Sequence, residues 1–281
     1  MMGASDGIIA GYDGSPGAEQ ALRWAVREAR ERRMELTICL AWAPQYLAVL
    51  GEPSVYDLAR CKGEQVLAQG CKHAESLLGP GMVRSVLAQG QAAQVLCERS
   101  AGAKVTAVGS RGNGGMPGLR TGSVASEVAA CGHGPVVVVR GEWAVADHAP
   151  RPVAVGLDQS PGSQAAIAFA VQEARLHKVP LMAVCALCDA PALLGGAERL
   201  EADFSHDMAL LEKTHPDLSV LQQVAQGSPR TALLEAARKA QLLVVGCRGR
   251  GGVRGMNLGS VAQGVMDCAP CPVAVIHQPG A

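Results

Sequence analysis

The chain is written twice. Residues 11–30 (GYDGSPGAEQALRWAVREAR) return as residues 156–175 (GLDQSPGSQAAIAFAVQEAR), with eleven of 20 positions identical at an offset of 145. Residues 108–126 (VGSRGNGGMPGLRTGSVAS) return as 245–263 (VGCRGRGGVRGMNLGSVAQ), with eleven of 19 identical at an offset of 137. A duplication on this scale makes two homologous domains, not one large core. The boundaries read as 1–141 and 152–281, joined by a polar, Pro-containing linker at 142–151. The offset falls by eight between the two anchors, so the second copy is shorter there. The loss is expected after its second strand, roughly at 187–215, where the first copy carries APQYLAVLGEPSVYDLARCK.

Each copy alternates strand and helix patterns. In the first, strands are expected at Ile8–Gly11, Leu36–Ala41, Val83–Ala88, Val105–Val108 and Val136–Val139. In the second they are expected at Val153–Gly156, Leu181–Ala186, Ser219–Ala225, Leu242–Val245 and Val273–Ile276. Runs such as VVVV and LLVVG are apolar at every position, which implies strands covered on both faces and hence a parallel sheet between helix layers. The first helix opens at Ser15-Pro16, with Ser as N-cap and Pro in the first turn. Ala18, Ala21, Leu22, Ala25, Val26 and Ala29 recur at helical spacing and mark its packed face. Further helices are expected at roughly 55–78, at Ala92–Ala101 and from Ser123 onward.

The chemistry-bearing feature is the loop after the fourth strand. It reads Gly109-x2-Gly112-x9-Gly122-Ser123 in one copy and Gly246-x2-Gly249-x9-Gly259-Ser260 in the other. Glycines allow positive φ and close approach of a ligand, and successive N–H groups form a nest for an anion. The following helix start adds free donors and a favourable dipole for phosphate, and the Ser hydroxyl can cap the helix or reach a phosphate oxygen. The plainer alternative is a strand–helix turn with a cap. There is no Gly-Lys-[Ser/Thr] of a Walker loop and no G-x-G-x-x-G directly after the first strand. Asp13 and Asp158 end the first strand of each copy, as ligands for a ribose or base or as caps of the following turn.

A strand ending in D-x-S-P, a later VG-S-R-G-x-G-G…G-S-V and the closing A-P-C-P-V (269–273) resemble the universal stress protein family in its tandem two-domain form. The resemblance covers nearly the whole chain, and the glycine spacing resembles that of the family's ATP-binding branch. It implies an α/β fold of two tandem doubly wound domains, each a five-stranded parallel sheet in order 3-2-1-4-5 with helices on both faces. Strands 1 and 4 are then neighbours where the winding reverses, and ligands bind in that crevice. The resemblance further implies ATP or a related adenine nucleotide, with or without Mg2+. Asp13 and Ala41 would meet its ribose and base, and Gly109, Gly112, Gly122, Ser123 and Val124 its phosphates; Gly11, Val108 and Arg111 are also expected at the nucleotide site, Arg111 facing the phosphates or solvated. In the second domain Asp158 and Ala186 would meet the ribose and base and Gly246, Gly249, Gly259, Ser260 and Val261 the phosphates, with Gly156, Val245 and Arg248 also expected at the site. The apolar last strands, Val136–Val139 and Val273–Ile276, need covering, and the resemblance implies that the two domains pair through them; a homodimer of whole chains and unidentified protein partners are further expectations.

The two copies differ in detail. KVTAVG is less apolar than LLVVG, the first loop carries Pro117, Arg120 and Thr121, and CGHGP replaces CAPCP. Arg248, Arg250 and Arg254 make the second loop the more cationic; they face phosphates or are solvated.

Composition excludes other classes. Lys+Arg and Asp+Glu are both 25, so a broad basic face for nucleic acid is not expected. Aromatics at 3% leave no stacking platform for single strands. No segment reads as a signal peptide or membrane span, so a cytoplasmic protein without a membrane partner is expected. Most of the ten cysteines are then read as reduced, buried apolar groups, with Cys247 in the loop the most exposed. The Cys185-x2-Cys188 and Cys268-x2-Cys271 pairs fall at opposite ends of parallel strands, which disfavours zinc. His206 and Asp207 read as solvated, and no Ser/His/Asp set stands out. No metal site or catalytic residue is assigned. A nucleotide-binding stress or signalling module with at most slow hydrolysis is the leading reading. A protein-interaction scaffold that has lost nucleotide is the alternative, and an enzyme of adenylate chemistry is a third without organised acid–base residues.

Overall fold

The structure is a computed structural model that describes residues 7–43, 53–114, 120–140, 150–187, 196–250 and 257–277. The chain divides into two units, Met1–Glu142 and Trp143–Ala281. Most of the expected linker, 142–149, lies outside the described residues.

The first unit runs β1 (Ile8–Gly11), α1 (Pro16–Arg32), β2 (Leu36–Trp42), α2 (Pro53–Leu78), β3 (Val83–Gln89), α3 (Ala92–Ser100), β4 (Val105–Gly109), α4 (Ser123–Cys131) and β5 (Val136–Val139). The second repeats it as β6 (Val153–Leu157), α5 (Pro161–His177), β7 (Leu181–Leu187), α6 (Gly196–Thr214), β8 (Val220–Gln226), α7 (Pro229–Ala237), β9 (Leu242–Gly246), α8 (Ser260–Cys268) and β10 (Val273–Ile276). Every expected strand is present, with ends within one residue of the sequence reading. The segment between the second and third strands is eight residues shorter in the second unit, where the shift of offset put the loss.

Within the first unit the strand order is β3-β2-β1-β4-β5, and within the second β8-β7-β6-β9-β10. Each neighbouring pair inside a unit is parallel. This is the doubly wound α/β fold, with helices on both faces. Gly63 of α2 lies against Leu40 and Leu87 on one face, and Gly11 lies against Leu96 of α3 on the other. β1 is buried throughout, and β4 and β9 up to their last residues, Gly109 and Gly246, as their largely apolar runs require. The outer strands β3 and β8 are instead only partly covered, with Leu221 and Val224 exposed, because each has a neighbour on one side within its unit.

The packed face of α1 is the expected one: Ala18, Ala21, Leu22, Ala25, Val26 and Ala29 are all buried. Its N-cap Ser15 accepts a hydrogen bond from the Ala18 N–H at 3.1 Å, and Ser160 of α5 accepts from Ser163 N–H at 3.2 Å. A packed face built mostly of alanines, with Leu22 and Val26, lets the helix lie close to the sheet, which brings the start of α1 against the loop after β4.

Candidate functional site

The site begins with strand order. Ile8, Ile9 and Ala10 of β1 pair with Val105, Thr106 and Ala107 of β4, so both strands release their chains side by side. The connections then go opposite ways, to β2 and to β5. Asp13 and the loop from Gly109 therefore border one crevice, as Asp158 and the loop from Gly246 do in the second unit.

The two aspartates join the two walls. Asp13 Oδ1 accepts from Ser15 N–H at 3.0 Å, and Oδ2 accepts from Asn113 N–H at 2.8 Å. Asn113 also donates from Nδ2 to the Asp13 carbonyl at 2.7 Å. Asp158 repeats the pattern with Ser160 N–H at 3.0 Å and Arg250 N–H at 3.0 Å. Ser160 adds a donation from Oγ to Asp158 Oδ1 at 2.5 Å. The turn-capping alternative for these residues is thus realised, and each carboxylate also pins the glycine loop. Its remaining lone pairs are still open to a ligand.

The glycines serve this closeness. A methyl on Gly109 would lie 2.5 Å from the Gly17 carbonyl carbon, and one on Gly246 2.7 Å from that of Gly162. A methyl on Gly17 would strike Arg111 O, and one on Gly162 would lie 2.5 Å from Arg248 O. Gly112 and Gly249 leave room for Oδ2 of Asp13 and Asp158. None of the six motif glycines has positive φ, contrary to the reading that they turn the chain through that region. Positive φ occurs instead just after the aspartates, at Gly14 (75°) and Gln159 (63°). Gln159 is tied by Nε2 to Asp207 Oδ2 at 2.9 Å, so Asp207 is engaged with this turn instead of being merely solvated.

Gly122 and Gly259 differ from the other four. A methyl on Gly122 would meet its nearest neighbour, Ser110 O, at 3.5 Å, and one on Gly259 would meet Cys247 O at 3.3 Å. Both are N-caps with no side-chain cap hydrogen bond. Their own N–H groups close the loop onto Ser110 O at 2.7 Å and Cys247 O at 2.8 Å. The starts of α4 and α8 thus sit beside the pinned loops with backbone donors that no side chain covers. Ser123 and Ser260 are the first helical residues, exposed, not the caps.

The remaining assigned residues divide. Val108 and Val245 are core side chains, and Gly11 and Gly156 turn their Cα hydrogens toward Leu96 and Leu233. Only their backbones can reach the crevice. Ala41 and Ala186 stand near the ends of β2 and β7, partly exposed. Val124 is exposed in the first turn of α4, Val261 less so in α8. Arg111, Arg120, Arg248 and Arg250 are exposed, while Pro117 and Arg254 lie outside the described residues.

The cysteine reading needs two corrections. Cys247 is buried: its N–H bonds Ile276 O at 2.9 Å and holds it against the end of the sheet, whereas Cys61 is exposed. Cys97 and Cys131 form a disulfide between α3 and α4. Cys185 and Cys271 are buried, and Cys188 lies outside the described residues. Among the described residues no helix is long and apolar enough to cross a membrane.

Sequence reasoning missed Gly17, Gly162 and Asn113. The S-P-G shared by both copies was the available signal for the first two; nothing marked the third.

Comparison with known proteins agrees with this architecture. The universal stress protein family matches the chain at residues 6–140 and again at 150–277. A universal stress protein of Mycobacterium tuberculosis is 34% identical over 292 residues, covering 98% of this chain and 97% of the relative. One from Mycolicibacterium smegmatis is 32% identical over 284 residues, covering 96% and 97%. The crystal structure of a universal stress protein from Archaeoglobus fulgidus has the same fold, with a TM-score of 0.77 at 21% identity, covering 98% of this chain and 99% of that one. The chain therefore belongs to the universal stress protein family and carries the family's domain twice.

Proposed function

We propose that each domain binds ATP or a related adenine nucleotide at the crevice between its first and fourth strands, and that occupancy is the signal the protein delivers in a stress response. The observation that carries this reading is the doubled, uncapped helix start at Gly122 and Gly259, beside a loop held by Asp13 or Asp158. Backbone donors with no side-chain cap suit a phosphate. Ser123 and Ser260 supply hydroxyls at the same place, and Ala41 and Ala186 lie toward the base end. Mg2+ would come with the triphosphate. Hydrolysis, if present, is slow: each aspartate is committed to two backbone donors and is poorly placed to activate water. The same reading takes the last strands of the two domains as the place where they pair.

A second reading is supported by the glycine packing. Gly17, Gly109 and Gly112 are needed by the protein's own backbone and by Asp13, so a scaffold without nucleotide would keep them. Gly122 separates the two readings most cleanly, because a Cβ there would make only ordinary contact, whereas one on Gly259 would press to 3.3 Å from Cys247 O.

Calorimetry with ATP and Mg2+ on the wild type, Gly122→Val, Gly259→Val and the double variant tests the proposal. Two binding events are expected, each weakened at least about tenfold by one substitution. Loss of one event only with Gly259→Val would leave the first domain structural. A folded wild type that binds no ATP would sink the nucleotide reading in favour of the scaffold.

A further inference from the structure

The two copies treat the contact between their last two helices differently. In the first domain Cys97 of α3 and Cys131 at the end of α4 are joined, with Cα atoms 5.9 Å apart and 34 residues between them in sequence. That Cα separation is in the usual range for a disulfide. In the second domain, at the 137-residue offset, the same positions hold Leu234 and Cys268. No disulfide can form there, and the helix contact is made by Arg230, whose Nη2 lies 3.1 Å from Cys268 Sγ and whose side chain crosses Gly264.

A second difference surrounds the bond. Ser100 at the end of α3 donates from Oγ to Cys97 O at 2.6 Å, and accepts from His133 N–H at 2.9 Å. His133 also donates from Nδ1 to Cys97 O, at 3.2 Å. The corresponding residues of the second domain are Ala237 and Pro270, which can make none of these side-chain bonds. The polar bracket keeps the two thiols within reach of each other when reduced, but its hydrogen bonds open and close where a covalent bond does not. The two cysteines differ in access: Cys131 is exposed, while Cys97 is buried. An exposed sulfur in a disulfide admits an attacking thiol.

We propose that Cys97 and Cys131 are a reversible redox latch of the first domain alone, which fixes α4 when oxidised and loosens it when reduced. A low-molecular-weight disulfide closes the latch. The Cys131 thiolate attacks one of its sulfurs and expels a thiolate, and a mixed disulfide forms. The Cys97 thiolate then attacks the Cys131 sulfur and expels the second thiolate. The reagent disulfide takes up two electrons, and the two protein thiol protons end on the two released thiols. A small dithiol opens the latch by the reverse exchange. Closing it anchors the tail of a nine-residue helix whose head, Gly122-Ser123, borders the crevice. At 1.5 Å per residue the latch and the helix head are only about 12 Å apart. The latch stands without a ligand; its effect on nucleotide affinity rests on the function proposed above.

The test uses the full-length protein after treatment with oxidised glutathione and after reduction with dithiothreitol. Differential alkylation and peptide mass mapping should find Cys97 and Cys131 joined in the first sample and both free in the second, interconvertible without denaturant. Hydrogen exchange over residues 123–131 should quicken about tenfold on reduction, with 260–268 unchanged. Cys131→Ser, a substitution at an exposed position, should exchange like the reduced protein under both conditions. The latch is refuted if oxidation yields no joined peptide, if dithiothreitol opens the bond only in denaturant, or if exchange in α4 is the same in both states. Titration of the same samples with ATP should shift the first-domain affinity about fivefold or more and leave the second alone. Silence of both domains toward ATP counts against the nucleotide reading, and the exchange result still decides the latch.

Discussion

Asp13 and Asp158 show how one residue type can answer to two demands. Each carboxylate spends one oxygen on the N–H two residues on and the other on a loop N–H about a hundred residues away. Hydrogen bonds from backbone donors to a charged acceptor contribute roughly 1.5–3 kcal/mol each. Asp13→Asn puts an NH2 group opposite one of those donors. We expect the nucleotide-free first domain to lose about 2 kcal/mol, read as faster hydrogen exchange of β1 with β6 unchanged. An unchanged β1 would mean that the carboxylate is dispensable for the fold and reserved for a ligand. Asp158→Asn should move the effect to β6. A sequence cannot separate these roles, because the partner N–H groups of Asn113 and Arg250 are distant along the chain and every residue type but proline offers one.

At the scale of elements, the crossing of the α1 start over the loop after β4 explains which glycines are replaceable. Gly17→Ala would drive a methyl into Arg111 O, and neither backbone can move without disturbing the sheet. A cost of about 2–3 kcal/mol follows, as for other overpacked sites. Gly122→Ser has room, with the nearest atom to its Cβ 3.5 Å away, and it supplies a better N-cap than glycine. It should leave thermal stability equal or slightly raised while its side chain intrudes on the crevice, so ATP affinity falls without loss of fold. A destabilised Gly122→Ser, or a tolerated Gly17→Ala, would contradict this division; melting curves of the two variants decide it. The elements themselves were legible because β1 and β9 are apolar runs, β4 is apolar but for Thr106, and α1 and α5 carry Ser-Pro starts. The contacts were not. Gly17 against Gly109, Gln159 against Asp207 and Cys97 against Cys131 depend on how elements meet, and spacing along the chain is silent on that. Cys247 shows the same limit: its place in a glycine-rich loop suggested exposure, but one further backbone bond to Ile276 keeps it against the end of the sheet.

For the molecule as a whole, the copies have diverged in the buried groups that set their response to alkali. Burial in the second domain pushes the Cys271 thiol from its ordinary 9.0 up to about 12. In the first domain burial, and then the hydrogen bond and charge of Glu19, push the Tyr12 phenol upward. Tyr12 also packs on Gly70, which has no side chain to obstruct its ring. The corresponding positions are Gly134 and Leu157, neither of which titrates. Between pH 9 and about 12 the unfolded chain releases the Cys271 proton and the folded chain keeps it. The unfolded state then binds fewer protons, so stability falls as pH rises. The contribution is complete below pH 9 and disappears as pH passes through about 12. Tyr12 adds a loss of the same sign, starting above its ordinary value of 10.0. Urea unfolding followed by circular dichroism at pH 8, 9, 10 and 11 should therefore show a continuous decline for the wild type. Cys271→Ala should flatten the part that begins near pH 9, and Tyr12→Phe the part that begins near pH 10. The double variant should be flatter than either. A decline as steep in the double variant as in the wild type would place the alkaline lability elsewhere and remove these two groups from its cause.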